Sequence, residues 1–278
     1  WWWQSGAPRG SVFRDALASR HADRWPREAE DHRYTRSPMR LAVLSDIHAN
    51  LAALDAVRDD LPEVDEIWVL GDTVGYGPQP NEVIRRLQEL GARSVMGNHD
   101  GAAIGTVDAA WFNPDAASAI HWTSGVLDDN SRAYLAALPE VRRDGELTAV
   151  HGSPREPIWE YITDSSIATD NLGSFETRLC LYGHTHLPVI YRADGPQMEV
   201  VAATPKAPIS LDAHRALINP GSVGQPRDGN PLASYLLLDP EAGQAEFRRV
   251  PYEIALTQQL MRDVHLPRWL IERLSMGR

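Results

Sequence analysis

Five short clusters of carboxylate, imidazole and amide side chains, each directly behind an apolar run, constrain this chain more than any other feature. They are LSDIH at Leu44–His48, LGD at Leu70–Asp72, GNHD at Gly97–Asp100, HGS at His151–Ser153 and GHTH at Gly183–His186. The preceding runs are rich in Val, Leu and Ile, the pattern of buried strands, and polar groups that follow such strands gather at the carboxyl edge of a sheet. Strands are therefore expected at Leu41–Leu44, Glu66–Leu70, Ala92–Met96, Leu147–Val150 and Leu179–Tyr182. The five clusters should converge at one sheet edge.

Helices fill the gaps. Asn50 can cap a helix through Val57, and Pro80 with Asn81 can open one running to Leu90, with Gly91 as its stop. Asp115–Leu138 reads as two helices broken near Gly125–Asn130, an insertion of about residues 101–140 where a small helical cap over the substrate would sit. The runs Val189–Arg192, Glu199–Ala202, Arg215–Ile218, Ser234–Leu238 and Ala245–Val250 read as shorter strands of a second sheet, and Tyr252–Arg262 as a closing helix. The fold class is α/β, a two-sheet sandwich flanked by helices.

Length and composition set the outer bounds. A chain of 278 residues, 43% of them hydrophobic, can bury one large core without a second catalytic domain. Its net charge of -11 argues against stable nucleic-acid binding, which needs clustered Lys and Arg. A phosphorylated substrate is still compatible, because bound divalent cations can supply the missing positive charge. The single cysteine, Cys180, cannot form an internal disulfide, so a cytoplasmic setting is expected. No apolar run approaches the ~20 residues of a membrane span. Residues 1–38 are rich in Arg, Asp, Glu, Ser and Pro without periodicity, and are expected to be a disordered extension or the product of a start assigned upstream of Met39.

The five motifs, complete and in order over roughly Met39–Val250, resemble those of the calcineurin-like metallophosphoesterases: D-x-H, GD, GNHD, a lone H and GHxH. The runs GDTVGYGPQPNEVI at Gly71–Ile84 and NPGSVGQPRDG at Asn219–Gly229 further resemble the small prokaryotic branch of YfcE-like phosphodiesterases. Any one motif is weak evidence, whereas five in order are specific. The resemblance implies a metallophosphoesterase domain over 39–278 and two divalent metal ions, manganese first, with iron, nickel, cobalt or zinc as alternatives. It assigns Asp46, His48 and His186 to one ion, Asn98, His151 and His184 to the other, and Asp72 to the bridge between them. A carboxylate suits that place because its two oxygens can hold both ions about 3.5 to 4 Å apart.

The same resemblance gives His99 and Asp100 a different role. The GNHD histidine is expected to be the general acid toward the leaving oxygen, kept protonated and oriented by Asp100, while a metal-bridging hydroxide attacks phosphorus. The expected reaction is hydrolysis of a phosphomonoester or phosphodiester, the partner a small phosphorylated molecule such as a nucleotide. Dinucleoside polyphosphate hydrolysis and phosphoprotein dephosphorylation are the alternatives, and a non-catalytic scaffold of the same fold is a third reading. That last reading fits poorly, since every ligand-competent residue is present.

Three residues are candidates for substrate binding. Arg227 can hold a phosphate oxygen or simply pair with Asp228. Tyr76, four residues after Asp72, can line the site mouth and stack on a base or aryl group. Asn98 contributes a neutral amide that limits negative charge near an anionic substrate. His121, beside Trp122, is better explained by packing or surface exposure, and Cys180 by burial as a small hydrophobe.

Overall fold

The computed structural model describes residues 40–195 and 197–278. The expectations for residues 1–38 and for a start at Met39 lie outside the described residues.

The first strand, β1 (Leu41–Leu44), is buried along its whole length. Its alternating side chains serve two different cores: Leu41 and Val43 face the space between two sheets, while Ala42 and Leu44 face helices. A strand covered on both sides needs apolar residues at every position, which accounts for its unbroken LAVL sequence. It leads to α1 (Leu51–Asp60), β2 (Glu66–Val69), α2 (Pro80–Glu89), β3 (Arg93–Ser94), α3 (Asn98–Ile104), α4 (Pro114–Val126) and α5 (Asp129–Ala136). There follow β4 (Arg142–Asp144), β5 (Leu147–Ala149), α6 (Ser165–Asn171), β6 (Leu179–Leu181), β7 (Val189–Asp194), β8 (Gln197–Ala202), β9 (Pro208–Ser210) and β10 (Ala216–Asn219). The chain closes with β11 (Ala233–Asp239), β12 (Gln244–Val250), α7 (Ile254–Asp263) and α8 (Arg268–Glu272).

Local chemistry sets the helix starts. Asn50 Oδ1 accepts from Ala53 N at 3.2 Å to open α1, and Pro80 opens α2, where its missing N–H costs nothing. The break between α4 and α5 falls at Leu127 and Asp128, whose carboxylate accepts from Ser131 N at 2.7 Å.

The strands form two six-stranded mixed sheets, in the orders β3-β2-β1-β11-β12-β9 and β4-β5-β6-β10-β7-β8. Two features differ from the reading of the sequence. β11 and β12 belong to the first sheet, where β11 runs antiparallel to β1 with Val43 opposite Leu236. Conversely β5 and β6, which carry the HGS and GHTH motifs, lie in the second sheet beside β10. Hydrophobic pattern identifies a strand but not its partner, so chain order misassigned both pairs. The motif loops therefore meet from two sheets rather than at one edge. β1, β2 and β3 are mutually parallel in one sheet, as are β5, β6 and β10 in the other.

Leu41, Trp68, Leu179, Ile218 and Phe247 are among the side chains that fill the space between the sheets. Helices α1 and α2 cover the outer face of the first sheet, and α6 covers that of the second. In the helical insertion, α4 contacts α3 while α5 contacts α2 and α3. The insertion reaches the motif region through Phe112, whose ring centroid lies 4.9 Å from that of His99. Among the described residues, no helix is long and apolar enough to cross a membrane.

Candidate metal centre

The seven expected ligands come together. Asp46, His48, Asp72 and His186 each offer a ligand atom within 4.8 Å of the others, and Asp72, His151 and His184 do the same in a second group that shares Asp72. Asn98 joins the second group, with its Oδ1 3.0 Å from His151 Nε2. All seven are at most 3% exposed.

Backbone geometry holds them there. Asp46, His48, Asp72, His184 and His186 all have φ between 50° and 65°, the left-handed region that ordinary side chains avoid. Five such residues at one locus mark strain that surrounding hydrogen bonds must hold in place. Asp46 N donates to Gly71 O at 3.1 Å, His48 N to Asp72 O at 2.9 Å, and Gly183 N to His151 O at 2.8 Å. The loop after β10 ties the set together: Ser222 Oγ donates to Asp46 O at 2.8 Å, and Asn219 Nδ2 to Gly183 O at 2.6 Å. Gly97 sits so close to the bridge position that an added Cβ would lie 2.2 Å from Asp72 N and Oδ1.

The protonation pattern fits cations. His48 Nδ1 faces Val74 O at 3.2 Å, His186 Nδ1 faces Gln225 O at 2.6 Å, and His151 Nδ1 faces Leu70 O at 2.8 Å. A carbonyl oxygen can only accept, so each Nδ1 carries a proton and Nε2 is the atom left to face inward, bare wherever the ring is neutral. These Nε2 atoms face other acceptors. His48 and His186 meet at 3.2 Å, and His151 Nε2 lies 3.0 Å from Asn98 Oδ1 and 3.4 Å from Asp72 Oδ2. Turned over, the Asn98 amide would instead donate to His151 Nε2 at 3.0 Å and to both Asp72 oxygens at 3.2 Å. The oxygen-inward orientation is the one a metal ligand presents. Backbone carbonyls behind ligating imidazoles are the usual second layer of a metal site. Imidazole, carboxylate and amide donors together suit two divalent ions, so the residues present fit the group.

The electrostatics point the same way. Burial works against ionisation of Asp46, but His186 and His151 hold its carboxyl well below the usual carboxylate range. Burial likewise opposes charge on His151, yet the fields of Asp72 and Asp46 outweigh it and push the ring up to about 9, so a proton sits on its Nε2 at neutral pH and a cation there would displace it. Two buried carboxylates thus create a site that attracts positive charge. Burial lowers His48 and His184 well below the ordinary imidazole value, so both rings stay available as neutral ligands.

His99 lies beside this centre without a ligand role. Its backbone N donates to Asp72 Oδ1 at 2.9 Å. Its Nδ1 is buried without a partner against Gly75, where an added Cβ would come within 2.5 Å. Burial pulls the ring down to about 4, against the opposing field of Asp72. Asp100 does not orient it. Its two oxygens accept from Val74 N and Gly97 N, both at 3.0 Å, so the residue caps α3 and ties the GD loop to it. The expectation that Asp100 orients His99 and keeps it protonated is therefore corrected: both carboxylate oxygens are spent on backbone amides, and burial leaves the His99 ring neutral. The pull of burial and of Asp72 raises Asp100 to about 7.

Tyr76 also departs from expectation. Its ring is 6% exposed, 4.6 Å from His48 and 4.3 Å from His99, so its faces are taken and it positions these rings instead of stacking on a substrate. Arg227 does not pair with Asp228. Asp228 pairs with Arg249, while Arg227 donates to Gln225 Oε1 at 3.0 Å and keeps a buried Nε without a partner. His121 is exposed on α4, as expected. Cys180 is fully buried, and burial raises its thiol.

The sequence reading missed Tyr161, whose ring stacks on His184 with centroids 3.7 Å apart. It also missed Phe112 and Trp159, whose rings lie 5.1 Å apart beyond His99. The available signal was the pair Trp111-Phe112 and the run Trp159-Glu160-Tyr161, aromatic residues in polar loops close to motif residues.

A two-sheet α/β sandwich whose strand-end loops present two acidic, imidazole-rich ligand groups sharing one carboxylate defines a class of dinuclear metallohydrolases. The calcineurin-like phosphoesterase superfamily domain matches residues 39–243, and the chain belongs to that family. It is 37% identical over 246 residues to an uncharacterized protein of Methanocaldococcus jannaschii, covering 86% of this chain and 98% of that one. A crystal structure of a metallophosphoesterase from Sphaerobacter thermophilus is 46% identical, with a TM-score of 0.79 over 86% of this chain and 99% of that one. A symmetrical bis(5'-nucleosyl)-tetraphosphatase of Erwinia tasmaniensis is 40% identical over 63 residues, 21% of this chain and 23% of that protein.

Proposed function

We propose that this chain hydrolyses a small phosphomonoester or phosphodiester at a dinuclear metal centre. The observation that carries the reading is the convergence of imidazole nitrogens and carboxylate oxygens in two groups joined by Asp72. Asp46, His48 and His186 would hold one ion, Asn98, His151 and His184 the other, with Asp72 shared and manganese the first candidate. When bound, two such ions supply a hydroxide at neutral pH and charge to polarise the phosphoryl group.

The chain's own residues do the rest. The Arg227 guanidinium, 5.9 Å over the Tyr76 ring and with a buried Nε that has no partner, would bind a phosphate oxygen. His99, a neutral ring with its pKa held down to about 4, would take up a proton only where an anionic phosphoester faces its Nε2, and would deliver it to the leaving oxygen. Its Nε2 suits this role, since Nδ1 is sealed against Gly75. Tyr76 fixes the angle of that ring from one side and Phe112 from the other. Among the described residues no side chain is assigned the role of covalent nucleophile, and a single displacement is expected. The small-molecule substrate, and a cytoplasmic setting compatible with the one buried thiol, belong to the same reading.

The test is turnover by metal-reconstituted protein on a panel of monoesters, diesters, cyclic nucleotides, dinucleoside polyphosphates and phosphopeptides. Hydrolysis of the first three groups supports the proposal. Exclusive activity on dinucleoside polyphosphates or phosphopeptides replaces it with one of the alternatives, and inactivity throughout supports the scaffold.

A further inference from the structure

Beyond His99, aromatic rings continue outward to solvent. Phe112 lies 4.9 Å from His99, Trp159 5.1 Å from Phe112, and Trp111 5.4 Å from Trp159. The series ends in water, for Trp111 is 70% exposed. Two residues after Trp159, Tyr161 presents a second open ring, 46% exposed and stacked on His184. A patch built only to pin the Trp111 loop onto the Trp159 loop would bury its rings, because burial is where the gain lies. Here the outermost indole keeps most of its surface in water, beside the candidate catalytic site.

The loop that carries Trp159 and Tyr161 is held firmly. Between Trp159 and Tyr161, the Glu160 carboxylate accepts from Ser153 Oγ at 2.6 Å and from Asn171 Nδ2 at 2.9 Å, and pairs with Arg155. Ser153 belongs to the same motif as His151, so the aromatic loop is anchored to the metal centre. A rigid aromatic surface binds planar rings with little entropic loss.

We propose that Trp111 and Trp159 form a stacking platform for the nucleobase of a nucleoside phosphoester. This rests on the phosphoesterase reading and names its substrate class. The ring order favours a base over a simple aryl group. A ring attached directly to the leaving oxygen would lie beside His99 and Phe112, whereas one held a sugar's length away reaches the two indoles.

The test compares adenosine 5'-monophosphate with glycerol 3-phosphate, each as the monoester and as its methyl diester. Both leave as alkyl alcohols, so they differ in the ring and not in the demand for a proton. Trp111→Ala, at an exposed position, should lower the ratio of kcat/KM for the adenosine ester over the glycerol ester by about 5- to 150-fold, the range for loss of stacking on one base. Trp111→Phe should restore most of it. Phenyl phosphate should follow the glycerol ester.

A second readout does not need turnover. Adenosine 5'-monophosphate should quench tryptophan fluorescence, and Trp111→Ala should remove most of that quench while the melting temperature is kept. Equal losses on both esters, or an unchanged quench, would overturn the platform while leaving the phosphoesterase reading intact. Quenching without turnover of any ester would overturn the phosphoesterase reading and keep the platform.

Discussion

The Nε2 atoms of His48 and His186 face each other across 3.2 Å, although each ring has already committed its Nδ1 proton to a backbone carbonyl. Two lone pairs at that distance repel unless positive charge lies between them. Binding of cations should therefore contribute to the stability of the fold as well as to activity. A free ion concentration of 100 times its Kd stabilises by about 2.7 kcal/mol per site. In a domain of this size that corresponds to a shift in Tm of roughly 5 to 10 °C. Calorimetry with and without chelator checks it, and a Tm indifferent to chelator would contradict the assignment.

Asp72 joins the two groups, with Oδ2 3.6 Å from His48 Nε2 and 3.4 Å from His151 Nε2. Asp72→Asn keeps the shape but removes the shared charge. Metal content measured by elemental analysis should fall from about two ions toward none, and turnover should fall with it. His184→Ala should instead spare the ion held by Asp46, His48 and His186. Loss of one ion only in Asp72→Asn would place the bridge elsewhere.

How much of this was legible follows from what each signal encodes. Side-chain chemistry behind an apolar run is local, and Asp46, His48, Asp72, Asn98, His151, His184 and His186 do come together, although from two sheets and not from one edge. Pairing is not local. Ser234–Leu238 was recognisable as a strand, yet nothing in it says that its neighbour is Leu41–Leu44, nearly 200 residues earlier. Asp100 was misjudged for a related reason: a motif adjoining two residues suggests that they interact, but the turn entering α3 aims its carboxylate at Gly97 N and Val74 N. Tyr161 and Trp159 carry no motif at all. Their aromatic run in a polar loop was the one signal, and the partner it meets, His184, is fixed only when the loop after His151 folds against it.

Asp100 as a cap makes a prediction that separates it from an orienting partner. Asp100→Ala strands two buried backbone donors, each costing about 1 to 3 kcal/mol. The variant should lose several degrees of Tm and bind metal more weakly, because Gly97 and the Asp72 loop are what the carboxylate holds. Its rate deficit should be the same for good and poor leaving groups. A stable, fully metallated variant with a deficit confined to poor leaving groups would restore the orienting role.

The Glu160 tether predicts a pH dependence. Its carboxyl is held down to about 2, chiefly by the hydrogen bond from Arg155, with Ser153 and Asn171 adding to it. A group whose folded pKa is depressed stabilises the fold above its ordinary value and loses that contribution as pH falls toward the folded one. The difference in stability between the native chain and Glu160→Gln should accordingly be full at pH 6 and shrink between about pH 4.5 and pH 2. Denaturant titrations at several pH values measure it. A gap that stays constant down to pH 3 would mean that the charge of Glu160 is not what anchors the loop.

His99 separates proton delivery from metal binding. It lies beside Asn98 and touches Asp72 through its backbone N–H, yet its ring belongs to neither ligand group. His99→Asn keeps that N–H, so both ions should remain bound while hydrolysis slows by about 100- to 10,000-fold, the usual range for losing one general acid. The deficit should shrink for p-nitrophenyl esters, whose leaving group needs little help from a proton, and stay large for alkyl esters. Damage to the fold would depress both classes alike, as would loss of an ion. Metal analysis together with the two rate ratios therefore distinguishes the three cases, and an equal deficit on both ester classes would remove His99 from the role of acid.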